Sequence, residues 1–320
     1  GYFNYGNRLQ NYALQEMLKD LGFEVETIIN DSLQIRSEGK RKIERIKGKS
    51  FKELYLTSIK MVENFLYKNK LDRQRSQIFR DFSRMYLSET NYAISENNIP
   101  SNLTDRYDYF ITGSDQVWNP NYREGSSIEF LTFAAPEKRI SYAPSFGVSE
   151  IPDVYRDSYS KWLKEIPHLS VREKAGAQII KDLTGRNAKV VLDPTMMLST
   201  EKWLSISKAS PNKPNGKYLL TYFLGNITKE RHKILYEIAR NNNLEVVNLA
   251  QVKDKKHYLT GPSEFIDYIN SASVFYTDSF HGAVFSILLN TPFVVFNRKG
   301  KGPSMNSRIE TLLETFDLES

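Results

Sequence analysis

The feature that most constrains this chain is a rhythm: from residue 107 onward, short apolar runs alternate with amphipathic stretches of helical period. Strand patterns at residues 107–112, 139–143, 168–171 and 188–192 enclose helical patterns at 154–164 and 173–183. Runs this short, bounded by turn residues and separated by segments of 3.6-residue period, predict a doubly wound parallel sheet. Between residues 198 and 217 the chain turns rich in Ser, Lys, Asn and Pro, which is turn and linker chemistry and predicts a domain boundary. Beyond it, strands are expected at 218–224, 244–249, 274–277 and 293–296, with helices around 231–239, 263–270 and 281–289. The expectation is α/β: two domains, 1–205 and 216–320, with the site in the cleft between them. Ahead of the rhythm, Leu9, Tyr12, Ala13, Met17 and Leu18 predict a helix over 7–21, stopped by Gly22 and followed by a strand at 23–29.

Composition narrows the chemistry. None of the 320 residues is cysteine, which excludes disulfides, thiolate zinc sites and cysteine nucleophiles, and favours a cytoplasmic address. No stretch approaches the roughly 20 apolar residues that span a bilayer. The chain begins at Gly1 without the apolar strand expected ahead of Tyr2, and so reads as a fragment. The net charge of +6 is concentrated, with fifteen Lys or Arg against six Asp or Glu between Arg36 and Arg84. That stretch reads as a basic helical insertion at about 36–90, either a core-packed helix with a solvated face or a peripheral contact with an anionic membrane surface. No nucleic-acid motif accompanies the charge, so nucleic acid is not expected as a partner.

Thr277-Asp278-Ser279-Phe280-His281-Gly282 sits where a strand gives way to an apolar helix, and a helix N-terminus favours phosphate or carboxylate. Asp278 or Ser279 reads equally as a plain N-cap. His281, one of four histidines, is a candidate for proton transfer near neutral pH or a packed structural side chain. Gly113-Ser114-Asp115-Gln116-Val117-Trp118-Asn119 is a second polar loop after a strand. There Ser114, Asp115 and Asn119 are candidate sugar-hydroxyl partners and Trp118 a candidate sugar platform, the alternative being a buried turn. Arg172, just past a strand, suits an anion or a surface ion pair, and Arg308 opens the last helix. The histidines are dispersed and no metal-ligand spacing occurs, so no metal is expected.

In linear order these segments resemble the polysaccharide pyruvyl transferase family: Asn4-Tyr5-Gly6-Asn7 with Gln10 and Ala13-Leu14-Gln15, Gly113 to Asn119, and Ser141-Tyr142-Ala143. Ser170-Val171-Arg172-Glu173, Val191-Leu192-Asp193-Pro194-Thr195 and Thr277 to Gly282 complete the set. The resemblance implies two Rossmann-like domains in a glycosyltransferase-B-like arrangement. It also implies phosphoenolpyruvate as donor substrate, no further cofactor, and a sugar or lipid-linked oligosaccharide acceptor of a surface or capsular glycan. It matches His281 to the family histidine of proton transfer and Arg172 to a donor-anion ligand; Ser279 and Arg308 are further candidate donor contacts, and Asn7, Ser114, Asp115, Trp118 and Asn119 candidate acceptor contacts. Some family members carry arginine where this chain has Ser279, so either Arg308 or another cation compensates or donor binding differs. Rival readings are a nucleotide-sugar glycosyltransferase and a noncatalytic glycan-binding protein on the same fold.

Overall fold

The computed structural model describes residues 4–32, 51–123, 125–249, 251–252, 254–298 and 307–318, with only the backbone for 51–66 and 123. The basic stretch at 36–50 lies outside these residues. The first half runs α1 (Tyr5–Asp20), β1 (Thr27–Asn30), α2 (Phe51–Tyr86), β2 (Glu89–Ile94), β3 (Phe110–Thr112), α3 (Pro120–Arg123), β4 (Arg139–Ser141), α4 (Asp153–Lys164), β5 (Ser170–Val171), α5 (Lys174–Thr184) and β6 (Lys189–Val190). The second half runs α6 (Thr200–Ser205), β7 (Tyr218–Tyr222), α7 (Lys229–Asn241), β8 (Glu245–Asn248), α8 (Lys255–Tyr258), α9 (Pro262–Ser271), β9 (Val274–Thr277), α10 (Phe280–Leu288), β10 (Phe293–Val295) and α11 (Ser307–Thr315). The architecture is α/β, and among the described residues every pairing between these strands is parallel.

In the first half the strands are shorter than their apolar runs suggest. β3 pairs with β4 and β5 with β6, and a parallel bridge from Ile140 to His168 links the two pairs. Side-chain hydroxyls extend this edge, since Ser141 and Ser170 exchange hydrogen bonds with each other's backbone at 2.7–3.0 Å. Beneath it, Trp118, Phe130, Phe146 and Tyr159 form a separate aromatic core with α4 and α5.

The second half holds one four-stranded sheet in the order β10-β9-β7-β8. The chain moves outward from β7 to β8, then returns across β7 to lay down β9 and β10. That reversal opens a crevice at the carboxyl ends of β7 and β9, where open α/β sheets bind ligands. β7, flanked on both sides, is buried along its whole length.

Two elements outside this sheet share its core. Tyr5, Leu9 and Tyr12 of α1 and Phe79 and Phe82 of α2 cluster with Tyr218, Leu220, Phe265 and Phe285. Each such side chain contributes roughly 1.5–3 kcal/mol by leaving water, so the first turn of α1 is pinned beside the crevice. The stretch 198–217, expected as a plain linker, carries α6, whose Trp203 is fully buried in the same core. Gly22 ends α1 as expected, with φ of +90° and its N–H donating to the Lys19 carbonyl.

Candidate active site

The Thr277–Gly282 segment is built from its own side chains. Thr277 Oγ1 donates to the Tyr222 carbonyl at 2.6 Å, locking the ends of β9 and β7 together, and accepts from the Ser279 amide at 3.0 Å. Asp278 reaches across to the turn after β7, accepting from the amides of Leu224 and Gly225 at 2.7 and 2.8 Å. Ser279 is therefore the cap of α10, its hydroxyl accepting from the Gly282 amide at 3.2 Å. With that hydroxyl engaged, position 279 offers no cation. His281, on the first turn of α10, is buried and turned inward.

His281 meets a buried ion cluster. Its Nε2 lies 3.5 Å from Asp193 Oδ2, and Arg172 Nη1 donates to the same oxygen at 2.6 Å. The Ser114 hydroxyl, 2.9 Å from that oxygen and 3.0 Å from Gln10 Oε1, shares its proton between them. Asp193 Oδ1 accepts from the amide and hydroxyl of Thr195 at 3.1 and 2.6 Å. Burial alone would push the Asp193 carboxyl up, but the His281 imidazole, the Arg172 guanidinium and the Thr195 hydrogen bond outweigh it and hold the carboxyl well below the usual range. Asp193 joins three expected site residues; the sequence placed it in a segment that resembles the family, just past a strand, but gave it no role.

The loop after β3 approaches from the other side. Gly113 adopts φ of +119°, and a β-carbon there would lie 2.0 Å from the Tyr142 carbonyl, so glycine alone lets the loop pass so close to β4. Asp115 then points at the cluster: its Oδ1 is 3.7 Å from Arg172 Nη2 and its Oδ2 accepts from Asn7 Nδ2 at 3.3 Å. Burial opposes its ionisation, while Arg172, His281 and Arg308 outweigh that and lower its pKa. One turn of α1 thus serves three partners, as Asn7 reaches Asp115, Gln10 reaches Ser114 and Gly6 lies against His281.

Two expected acceptor contacts are elsewhere. Trp118 is 0% exposed, stacked on Phe130 at 5.1 Å, and its indole N–H donates to the Glu129 carbonyl. With both ring faces packed in the aromatic core, it presents no platform to a sugar. Asn119 is equally buried, its Nδ2 donating to Gln116 Oε1 at 2.7 Å and its Oδ1 accepting from the Asn121 amide at 2.9 Å. Both are parts of a buried turn.

Arg308 completes the site. It is buried with Arg172 on one aromatic ring, the guanidinium carbons lying 5.9 and 4.3 Å from the Phe280 centroid. Burial, and then the charge of Arg172, push Arg308 down to about 10, with Glu173 and Asp115 partly offsetting. Among the described residues, Arg172 Nε and Nη2 and Arg308 Nε have no hydrogen-bond acceptor. Both guanidiniums line a cavity of about 180 Å³ with Asp193, Met196 and Phe280. Buried donors without acceptors carry a desolvation cost that an anion would remove.

Comparison with known proteins gives these residues a family. A family model for polysaccharide pyruvyl transferase matches residues 4–300. The chain belongs to the polysaccharide pyruvyl transferase family. The match takes in α1, the Asp115 loop, Arg172, Asp193 and His281, while Arg308 lies beyond it. No curated protein matches the chain. A crystal structure of a functionally uncharacterised protein from Klebsiella pneumoniae is similar at 16% identity and a TM-score of 0.40, over 76% of this chain and 81% of that one. For a pyruvyl transferase family member, a polysaccharide-type acceptor follows from the family itself. Among the described residues no group of three or more His, Asp or Glu is arranged to hold a metal ion, and no helix is long and apolar enough to cross a membrane.

Proposed function

We propose that the protein transfers the pyruvyl group of phosphoenolpyruvate to a sugar diol of a surface or capsular glycan precursor, forming a pyruvate ketal. The observation that carries this reading is the pair of buried guanidiniums, with unpaired nitrogens, opening on one cavity beside the Asp193–His281 contact. Phosphoenolpyruvate carries a carboxylate and a phosphate on one carbon, which suits two cations sharing one ring. Arg172 and Arg308 hold these groups. Ser279, spent as the α10 cap, contributes through the helix end and not through charge.

His281 protonates the methylene carbon, and positive charge develops at the neighbouring carbon that bears the phosphate. A sugar hydroxyl attacks there, phosphate leaves, and a second hydroxyl of the same sugar closes the ketal. Asn7 and Asp115 orient the acceptor at the open side of the cluster, with Ser114 holding the loop in place. No cofactor beyond the donor enters this scheme.

In this reading the chain forms two Rossmann-like domains, 1–205 and 216–320, in a glycosyltransferase-B-like arrangement, working in the cytoplasm at the inner face of the membrane. The reversed strand order of the second sheet supports the Rossmann-like description, and the basic stretch supports contact with anionic lipid, tested by co-sedimentation with anionic vesicles at low salt. The donor is tested by thermal stabilisation with millimolar phosphoenolpyruvate, with nucleotide sugars in parallel. A shift with phosphoenolpyruvate alone, lost in Arg172→Ala, supports it. A response to nucleotide sugars alone refutes it in favour of glycosyl transfer.

A further inference from the structure

The site contains several carboxylates, and they are not equivalent. Asp193 is 0% exposed at its side chain, with Thr195 on one oxygen and Arg172 and Ser114 on the other. Glu173 is fully buried, and its Oε1 accepts from the Ser145 hydroxyl and the Phe146 amide at 2.9 and 3.0 Å. Asp278 holds the amides of Leu224 and Gly225 and contacts Arg298. Asp193 and Asp278 are committed to holding backbone or side chains in place, and Glu173, whose Oε2 has no partner among the described residues, is sealed from any ligand by its full burial.

Asp115 differs. Its side chain is 17% exposed, it accepts one long hydrogen bond from Asn7 at 3.3 Å, and its contact with Arg172 is 3.7 Å. Its backbone sits in the left-handed region at φ of +58°, and its side chain faces Arg172. It is thus the carboxylate of the cluster with lone pairs to spare and access to a ligand, and it lies within the electrostatic reach of both His281 and Arg308.

Resting on the pyruvyl-transfer reading, we propose that Asp115 is the general base of the reaction, taking the proton of the attacking sugar hydroxyl. As the hydroxyl oxygen bonds to the carbon bearing the phosphate, the O–H bond breaks and its proton passes to Asp115. The pair of the carbon–phosphate-oxygen bond leaves with phosphate, which takes that proton from Asp115. The second hydroxyl closes the ketal and returns its proton to the neutral imidazole of His281, replacing the one given to the methylene carbon. Two hydroxyl protons are thereby accounted for, and both side chains end as they began. A carboxylate of low basicity suffices, because the hydroxyl becomes strongly acidic only as its oxygen bonds to the cationic carbon.

The experiment follows phosphate release from phosphoenolpyruvate with methyl hexopyranosides and glycerol as acceptors, alongside deuterium entry at the donor methylene in D2O. Asp115→Asn should lower phosphate release about 100-fold, keep the thermal shift with phosphoenolpyruvate, and keep deuterium entry, which needs only His281. Asp115→Glu, which retains a carboxylate, should recover at least about tenfold of that loss. Phosphate release by Asp115→Asn within about threefold of wild type overturns the assignment. Equal losses in the Asn and Glu variants at wild-type thermal stability also overturn it, since that pattern marks a shape requirement. If Asp115→Asn does not fold, Asp115→Glu decides alone: a loss greater than about 100-fold in folded protein counts against the base. A wild type that binds no phosphoenolpyruvate and releases no phosphate overturns the donor reading itself, and the base assignment with it.

Discussion

Gly6 lies flat against the imidazole of His281: a β-carbon on residue 6 would stand 2.0 Å from Nδ1 and 2.3 Å from Cγ. The first turn of α1 and the first turn of α10, 275 positions apart in the chain, therefore fit only because residue 6 has no side chain. Alanine is the better helix former by about 1 kcal/mol, so the glycine is unfavourable for α1 alone and is explained by the ring it admits.

Gly6→Ala should displace the His281 ring and lengthen its 3.5 Å contact with Asp193. Misplacing a reacting group by an ångström costs on the order of 100-fold in rate. Phosphate release should fall by about that factor, while stabilisation by phosphoenolpyruvate persists because Arg172 and Arg308 are untouched. Kinetics and thermal shift on one preparation separate the two, and an unchanged rate would show that the ring has room to retreat.

Asp193 should dominate the acid limb of stability. Its folded pKa lies below its unfolded value near 3.9, so ionisation favours the folded state. That contribution is fully present above about pH 4 and declines as pH falls below it. Removing one partner of a buried ion pair costs about 3–5 kcal/mol, so Asp193→Asn should lose roughly that much at pH 7 and show a flatter decline in urea midpoint from pH 5 to pH 3. A variant curve parallel to wild type would assign the acid limb to other carboxylates.

Much of this was legible in the sequence, for identifiable reasons. The strand Val274–Thr277 appears with the bounds that its apolar run implied, because it is bounded by Ala272-Ser273 and by the Asp278-Ser279 turn. His281, Arg172 and Asp115 all stand just past strand ends, where a parallel sheet gathers its functional side chains, and the structure brings them together. The ion pairing was not legible: Arg172 and Asp193 are 21 positions apart, Ser114 and Asp193 79, and only the packing of three strand edges joins them. Trp118 failed as a platform because a polar loop reads the same whether its aromatic residue turns toward ligand or core.

Trp118 supplies a test of that distinction. As a core residue stacked on Phe130 and packed against Phe146, its replacement by alanine should cost about 3–5 kcal/mol in stability. Trp118→Phe should lose less, keeping the ring but not the hydrogen bond to Glu129. Acceptor KM measured on the folded Phe variant should match wild type. A raised acceptor KM at unchanged stability would place the indole at the sugar after all.

Arg308 is the residue whose removal should separate folding from binding. Its charge is disfavoured by burial and by Arg172 beside it, so the ligand-free protein holds two cations against one ring without enough acceptors. Arg308→Met keeps an unbranched apolar stem over Phe280 and removes the unfavourable charge. The free protein should therefore melt no lower than wild type, while its stabilisation by phosphoenolpyruvate falls by more than half. The same variant should lose less stabilisation by a monoanion such as lactate, which needs one guanidinium, than by phosphoenolpyruvate, which engages both. Calorimetric midpoints with each ligand decide the point: equal losses for both anions would mean that Arg308 shapes the cavity and leaves anion binding to Arg172.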